Sequence, residues 1–249
     1  MLRLEGITKI FGGVTALEDV SCGIKKGAIT GIIGPNGAGK TTLFNIASGI
    51  YEATSGKVFF EDRDVSGFQP EKLAKLGLVR TFQNIELFGR MTLIENVMVG
   101  LHGRSKSGML ACMFKTPGHL KEEKRIKGDA LKKLEFVGIS DFADLEAASL
   151  PFGQGRLLEI ARALAAEPKM ILMDEPAAGL NSRETAELGK LIRKIRDLGI
   201  TIVLVEHDMD LVMDICDSII VLNLGRKLAE GTPRMIQEDK RVIEAYLGE

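Results

Sequence analysis

Short, nearly unbroken apolar runs alternate along this chain with longer stretches whose apolar residues recur every three or four positions. The run Ala28–Ile33, rich in isoleucine, predicts a buried strand, as do Met170–Met173 and Thr201–Val205. Leu2, Leu4 and Ile7 alternate loosely. Leu17, Val20, Cys22 and Ile24 predict a second early strand that ends at Lys25-Lys26-Gly27, with Phe11-Gly12-Gly13 between the two. Ser55–Phe60 reads as turn then strand, Gly77–Phe82 as a short strand, and Ser218–Asn223 with Arg226–Ala229 as closing strands around Leu224-Gly225.

Helical spacing begins at Thr42–Ser48 and returns from about Met91 to Leu150, where Thr92 and Glu95 have the spacing of a capping box. Gly155–Ala166 carries a broad apolar face (Leu157, Leu158, Ile160, Ala161, Leu164) and stops at Glu167-Pro168. Ser182 is the expected cap of a helix that runs to Leu198 and closes at Gly199. Thr232-Pro233 opens terminal helices ending at Tyr246. No repeat of 20–50 residues is evident. Strands alternating with helices predict an α/β fold, with a helical lobe inserted into it.

The most informative stretch lies between the first buried strand and the first helix. Gly34-Pro35-Asn36-Gly37-Ala38-Gly39-Lys40-Thr41-Thr42 fits G-x-x-x-x-G-K-[ST]. Glycines at 34, 37 and 39 permit backbone angles that let successive N–H groups converge on an anion. The helix N-terminus adds partial positive charge there. Lys40 is placed to reach the β- and γ-phosphates, and the Thr41 hydroxyl to take a Mg²⁺ position.

Met170–Met173 delivers Asp174 and Glu175 to a strand tip, and Thr201–Val205 delivers Glu206-His207-Asp208 to another. Open α/β sheets bind ligands at such carboxyl ends. With the phosphate loop upstream, Asp174 would hold Mg²⁺ mainly through water, and Glu175 would polarise the attacking water as general base. His207 at the same edge could bond a γ-phosphate and hold that water in line. Other residues read two ways. Phe11 could stack on a base or pack under the sheet, Gln83 could be a surface polar residue, and Gly153-Gln154 could bind an anion or form a turn. Met109–Phe114 could be local core or an adaptable docking surface.

Composition narrows the partners. The 249 residues can bury about 75% of their unfolded surface, enough for one large core with a lobe attached. Lys and Arg number 33 against 34 Asp and Glu, so bulk electrostatics give no reason to expect a nucleic-acid partner. The mixed-charge run Lys121–Lys133 reads as a solvated helix face. Cys22, Cys112 and Cys216 are odd in number and lack a C-x-x-C pair, which suits a reducing compartment. Early charge at Arg3 and Glu5 is unlike a secretory signal, and no uncharged run nears the roughly 20 apolar residues of a membrane helix. Any membrane role is expected to be peripheral.

In this order and spacing the residues resemble the ATP-binding subunit of an ABC transporter, along essentially the whole chain. The resemblance implies a P-loop NTPase core with an antiparallel β subdomain, spanning about 1–83 and 151–249. It also implies a helical subdomain, about 84–150, ending at a signature motif. Gly34–Thr42 would be the phosphate loop and Gln83 the Q-loop residue, contacting Mg²⁺ and relaying to a membrane partner. Leu150-Pro151-Phe152-Gly153-Gln154 would be the signature, Asp174-Glu175 the acidic strand end and His207 the switch histidine. Phe11 would take the adenine-stacking position. Arg80-Thr81-Phe82-Gln83, Leu87-Phe88, Met91–Asn96, Leu158–Leu164, Asp174–Asn181, Glu206–Met209 and Ala245–Glu249 are similar to the ATPases of branched-chain amino acid importers.

That likeness implies ATP and Mg²⁺ as cofactors and a head-to-tail pair with a second ATPase subunit, identical or different. It further implies two integral-membrane permeases, indirectly a substrate-binding protein, no nucleic acid, and a place on the inner face of the cell membrane. Pro151-Phe152 stands where the general signature has Ser-Gly, a pair normal for the branched-chain type. Asn181 stands where Asp is commoner, so its cross-subunit water bond would lose a charge. Gly155 and Leu157 replace polar or basic residues. The alternatives are another ABC system (urea or amide uptake, lipid or lipopolysaccharide export) or a soluble ABC ATPase. No coiled-coil insert, tandem cassette or guanine-reading Asn-Lys-x-Asp is seen.

Overall fold

The computed structural model describes residues 1–82, 86–102 and 117–247, with side chains omitted at 102, 117–121 and 247. The chain divides into two compact units, Met1–Gln83 with Lys169–Glu249, and Asn84–Pro168. The α/β class predicted from the apolar runs is the class found.

The first unit holds two sheets. In the antiparallel one, β1 (Leu2–Phe11) lies between β2 (Val14–Ile24) and β4 (Ser55–Phe60), with the short β5 (Arg63–Asp64) at the far edge. Gly12 and Gly13, both at positive φ, turn β1 into β2 so that Phe11 pairs with Val14. The second sheet has the order β10-β9-β3-β8-β7-β6. Its strands are β3 (Ile29–Ile33), β6 (Leu78–Arg80), β7 (Met170–Asp174), β8 (Thr201–Val205), β9 (Ser218–Asn223) and β10 (Arg226–Gly231). Only the β9–β10 hairpin is antiparallel, turning at Leu224-Gly225. Every residue of β3, β7 and β8 is buried, as parallel strands covered on both faces require. That is why they read as unbroken apolar runs.

One core joins both sheets through α1 (Lys40–Ala47). Leu4, Ile7 and Leu17 from the small sheet, Leu43 and Phe44 from the helix, and Leu172, Val203 and Leu222 from the large sheet share it. Phe44 is wholly buried, so truncating it to Ala would cost about 3–5 kcal/mol. The remaining helices of this unit are α2 (Pro70–Leu76), α6 (Ser182–Asp197), α7 (Met209–Ile215), α8 (Pro233–Glu238) and α9 (Lys240–Leu247).

The second unit is helical: α3 (Leu93–His102), α4 (Pro117–Val137) and α5 (Phe152–Ala165). Thr92 and Glu95 form the expected capping box, Glu95 accepting from the Thr92 N–H at 2.8 Å and Thr92 Oγ1 from the Glu95 N–H at 3.3 Å. Asn96, fully buried, accepts from the Phe88 N–H at 3.0 Å and donates to the Phe88 carbonyl at 3.1 Å, folding the segment before α3 onto it.

Among the boundaries that differ from expectation are the starts of two helices. Helix α5 begins at Phe152, three residues before Gly155, with Pro151 as its N-cap. Helix α6 is capped by Asn181 and not by Ser182: its side chain accepts from the Arg183 and Glu184 amides while Glu184 accepts from the Asn181 N–H. A cap at Ser182 would have put Thr185 at the third helical position, where no carboxylate could complete the box. Among the described residues, no helix is long and apolar enough to cross a membrane.

Candidate active site

The glycine loop follows β3 directly. A side chain at Gly34 (φ +150°) would press into the Leu222 carbonyl of β9. One at Gly39 (φ +99°) would lie 2.7 Å from Leu17 Cδ2 and 2.8 Å from the Ala16 carbonyl of β2. The loop is thus wedged between both sheets, and only glycine lets it pass. Asn36 and Gly37 (φ +75°) stand exposed at its crest, while Pro35 and Ala38 are buried beneath. Ala38 donates to the Pro35 carbonyl at 3.2 Å and accepts from the Gly225 N–H at 3.1 Å, so the β9–β10 turn buttresses the loop.

Gly39 is the N-cap of α1 and supplies no side-chain acceptor. The first amides of α1 are therefore left for an anion. Lys40 is buried, at 6% exposure, and its Nζ donates to the carbonyls of Gly34 at 2.6 Å and Pro35 at 2.8 Å. Thr41 is exposed and Thr42 half-buried beside it.

At the tip of β7, Asp174 is buried, and its Oδ2 accepts from Arg80 Nη2 at 2.6 Å. Arg80 closes β6; its Nη1 donates to Asn45 Oδ1 at 2.6 Å, on the last turn of α1, and to Ser48 Oγ at 2.8 Å, the C-cap of that helix. Its guanidinium lies 5.0 Å from the ring centre of Phe44 and 5.4 Å from that of Phe82. Glu175 has φ +45°, strained for a side-chain-bearing residue, and its N–H donates to the Val205 carbonyl at 2.9 Å. This turn carries its carboxylate to His207, where Oε1 and Nε2 are 3.2 Å apart.

Glu206, the residue before His207, is 4% exposed. It accepts from the Ala177 N–H at 2.6 Å, the His207 N–H at 3.0 Å and, more weakly, the Asp208 N–H at 3.5 Å. Burial pushes its carboxyl above the ordinary range, the amides oppose this, and Glu175 adds to it.

Phe11, 41% exposed, meets Tyr51 edge to face at 5.5 Å, and Lys9 Nζ stands 4.9 Å above its ring. A ring so placed keeps a surface open for stacking instead of packing wholly under the sheet. The Asn181 side chain is committed to capping α6. In the helical unit, Leu150 precedes Pro151, Phe152 is 52% exposed, and Gly153 and Gln154 lie half-buried in the first turn of α5, which has no side-chain cap. Gln83 and the stretch Met109–Phe114 lie outside the described residues.

Sequence reasoning gave no role to Arg80 or to the Glu206 carboxylate. Each is a charged residue at the end of an apolar strand, which was the available signal. The Thr41 hydroxyl and the buried Asp174 carboxylate are hard oxygen donors of the kind Mg²⁺ takes when phosphate oxygens and water complete its shell, so these residues fit that ion.

Comparison with known proteins gives a consistent likeness. The ABC transporter family profile matches residues 17–178, and a profile described as branched-chain amino acid ATP-binding cassette transporter matches residues 226–249. The chain is 44% identical to the high-affinity branched-chain amino acid transport ATP-binding protein BraF of Pseudomonas aeruginosa, covering 100% of this chain and 98% of that protein. A crystal structure of a nucleotide-free ATP-binding cassette from an ABC transporter superposes with a TM-score of 0.87 at 38% identity, over 100% of this chain and 99% of that one. A dimeric post-hydrolysis cassette bound to ADP and phosphate gives 0.79 at 28% identity, over 94% of this chain and 99% of that one.

Proposed function

The chain belongs to the ABC transporter family of ATP-binding cassettes, and from that premise we propose that it is the ATP-hydrolysing subunit of an importer of branched-chain amino acids. The observation that carries the mechanism is the 3.2 Å contact between Glu175 and His207 at adjoining strand tips of the sheet whose β3 feeds the glycine loop.

In this reading the loop N–H groups from Gly34 to Thr42, Pro35 having none, and the Lys40 ammonium hold the triphosphate, Lys40 exchanging the Gly34 and Pro35 carbonyls for phosphate oxygens. Phe11 stacks on the adenine. Thr41, and Asp174 mainly through water, would hold Mg²⁺, which would screen phosphate charge, with Gln83 as a further contact. Glu175 takes a proton from the attacking water, and His207 orients Glu175 and contacts the γ-phosphate. A second cassette, identical or different, docks head to tail, so that its Leu150–Gln154 helix start faces the nucleotide held by this chain. ATP bridges only the closed pair, so hydrolysis lets the pair open and moves the permeases.

The substrate class comes from the names of the relatives and the match at 226–249; the sheet edge itself reads only nucleotide. The test is co-purification from membranes with two hydrophobic subunits, followed by reconstitution in vesicles. Leucine, isoleucine or valine uptake that requires Mg-ATP supports the reading. ATP turnover stimulated by a different solute, with none by these three, would overturn the substrate class and leave the ATPase.

A further inference from the structure

Glu206 is a buried carboxylate with no ion pair among the described residues, held instead by backbone amides from two different loops. Burying such a charge is costly, and amide donors are what make it tolerable. Their distribution is the informative feature. Oε1 takes the Ala177 N–H, two residues beyond Glu175, whereas Oε2 takes the N–H of His207.

The β7–β8 ladder pairs Asp174 with Val205 and extends by one further bond, from the Glu175 N–H to the Val205 carbonyl. Past that point the chains diverge, one toward Asn181 and α6, the other toward Asp208 and α7. Asp208 caps α7 by accepting from the Leu211 N–H at 3.0 Å. The Glu206 carboxylate binds these diverging loops together through the Ala177 N–H, a second link beside the Glu175–His207 contact.

We infer that Glu206 is a positioning residue for hydrolysis, stapling the loop that carries Glu175 to the loop that carries His207 so that the two side chains move as one unit. Only the Oε1–Ala177 bond crosses between the loops, while the Oε2–His207 bond fixes the carboxylate within its own turn. Gln cannot accept from both amides: its NH₂ would confront either the Ala177 N–H, which opens the cross-link, or the His207 N–H, which frees the side chain that makes it. Asp is a methylene too short to span both. The inference depends on Glu175 and His207 acting in hydrolysis as set out above. It adds that their alignment is set by a third residue that touches neither nucleotide nor water, and that a shift in the 175–181 loop reaches His207 through Glu206.

The experiment compares the assembled transporter carrying Glu206→Gln, Glu206→Asp, His207→Ala, Glu175→Gln and the Glu206→Gln/His207→Ala pair. Misplacing reacting groups by about an ångström costs on the order of 10- to 100-fold. Glu206→Gln is expected to lose that much kcat while KM and Mg-ATP affinity stay within about twofold, with Glu206→Asp recovering little. In the His207→Ala background the further loss should fall below about threefold, since the staple acts through a residue already gone. Independently of activity, amide hydrogen exchange should speed at Ala177 and His207 and stay unchanged at Ile171 and Val203.

Full turnover by Glu206→Gln, or losses that simply multiply with His207→Ala, would overturn the inference. So would unaltered exchange at Ala177 and His207, or exchange that speeds throughout the sheet. Full turnover by Glu175→Gln would overturn the base assignment itself, and this inference with it. Inactive Glu175→Gln beside fully active Glu206→Gln would remove only the staple.

Discussion

Arg80 donates to Asp174 at 2.6 Å, and the same guanidinium grips Asn45 and Ser48 at the end of the helix that follows the glycine loop. One buried cation therefore joins the tips of β6 and β7 to the end of α1. Breaking a buried pair by removing one partner costs about 3–5 kcal/mol, because the remaining charge is left uncompensated. Arg80→Ala is expected to destabilise the protein by that amount, measured by urea unfolding. Arg80→Lys should recover only part of it, since an ammonium has no planar fork to span three acceptors. Stability of Arg80→Ala within about 1 kcal/mol of wild type would contradict the pairing.

Lys40 is held against two loop carbonyls, and triphosphate is expected to draw it away from them. A hydrogen bond to a charged group contributes about 1.5–3 kcal/mol, so Lys40→Ala should weaken ATP binding roughly 10- to 150-fold by fluorescent-nucleotide titration. Retained affinity would move the phosphates elsewhere.

Phe11 offers a ring with 41% exposure. Base–aromatic stacking is worth about 1–3 kcal/mol. Phe11→Ala should weaken ATP binding by about 5- to 150-fold and leave inorganic triphosphate binding unchanged, as measured by calorimetry. Equal loss for both ligands would mean that the residue supports the loop and does not read the base.

Cys22 and Cys216 are both buried, and burial pushes each thiol from an ordinary 9.0 up to about 12. Thiolate is the reactive form, so both should resist a disulfide reagent at pH 8 until the protein unfolds. The sign for stability follows from proton counting. Between about pH 9 and 12 the unfolded chain has lost these protons while the folded chain keeps them, so stability falls as pH rises through that window. Denaturation midpoints across pH 8–11 check this, and replacing both cysteines with Ala should flatten the decline.

Much of the site could be read from the chain because β3, β7 and β8 are buried on both faces. Their runs are unbroken, and the first polar residues after them (the glycine loop, Asp174-Glu175, Glu206-His207) stand out at the sheet's edge. The contacts that align those residues could not be read. Arg80 and Asp174 are 94 positions apart, and Ala177 and Glu206 are 29 apart. Neither spacing has a period, and only the β6-β7-β8 order brings the partners together. Helix α2, with Pro70 at its start and Gly77 at its end, leaves no periodic signal because seven residues are too few to display a face. Asn181 and Ser182 are both good caps for α6, one residue apart, and the carboxylate of Glu184 decides for Asn181.

The hydrolysis proposed for this chain rests on Glu175, held 3.2 Å from His207, acting as the base. The direct test is single-turnover hydrolysis of Mg-ATP by Glu175→Gln in the assembled transporter, with ATP affinity measured on the same sample. Losing a general base costs about 10²–10⁴-fold in rate. A loss of that size is expected, with affinity unchanged and ATP retained in a closed pair. Cleavage by Glu175→Gln at the wild-type rate would contradict it.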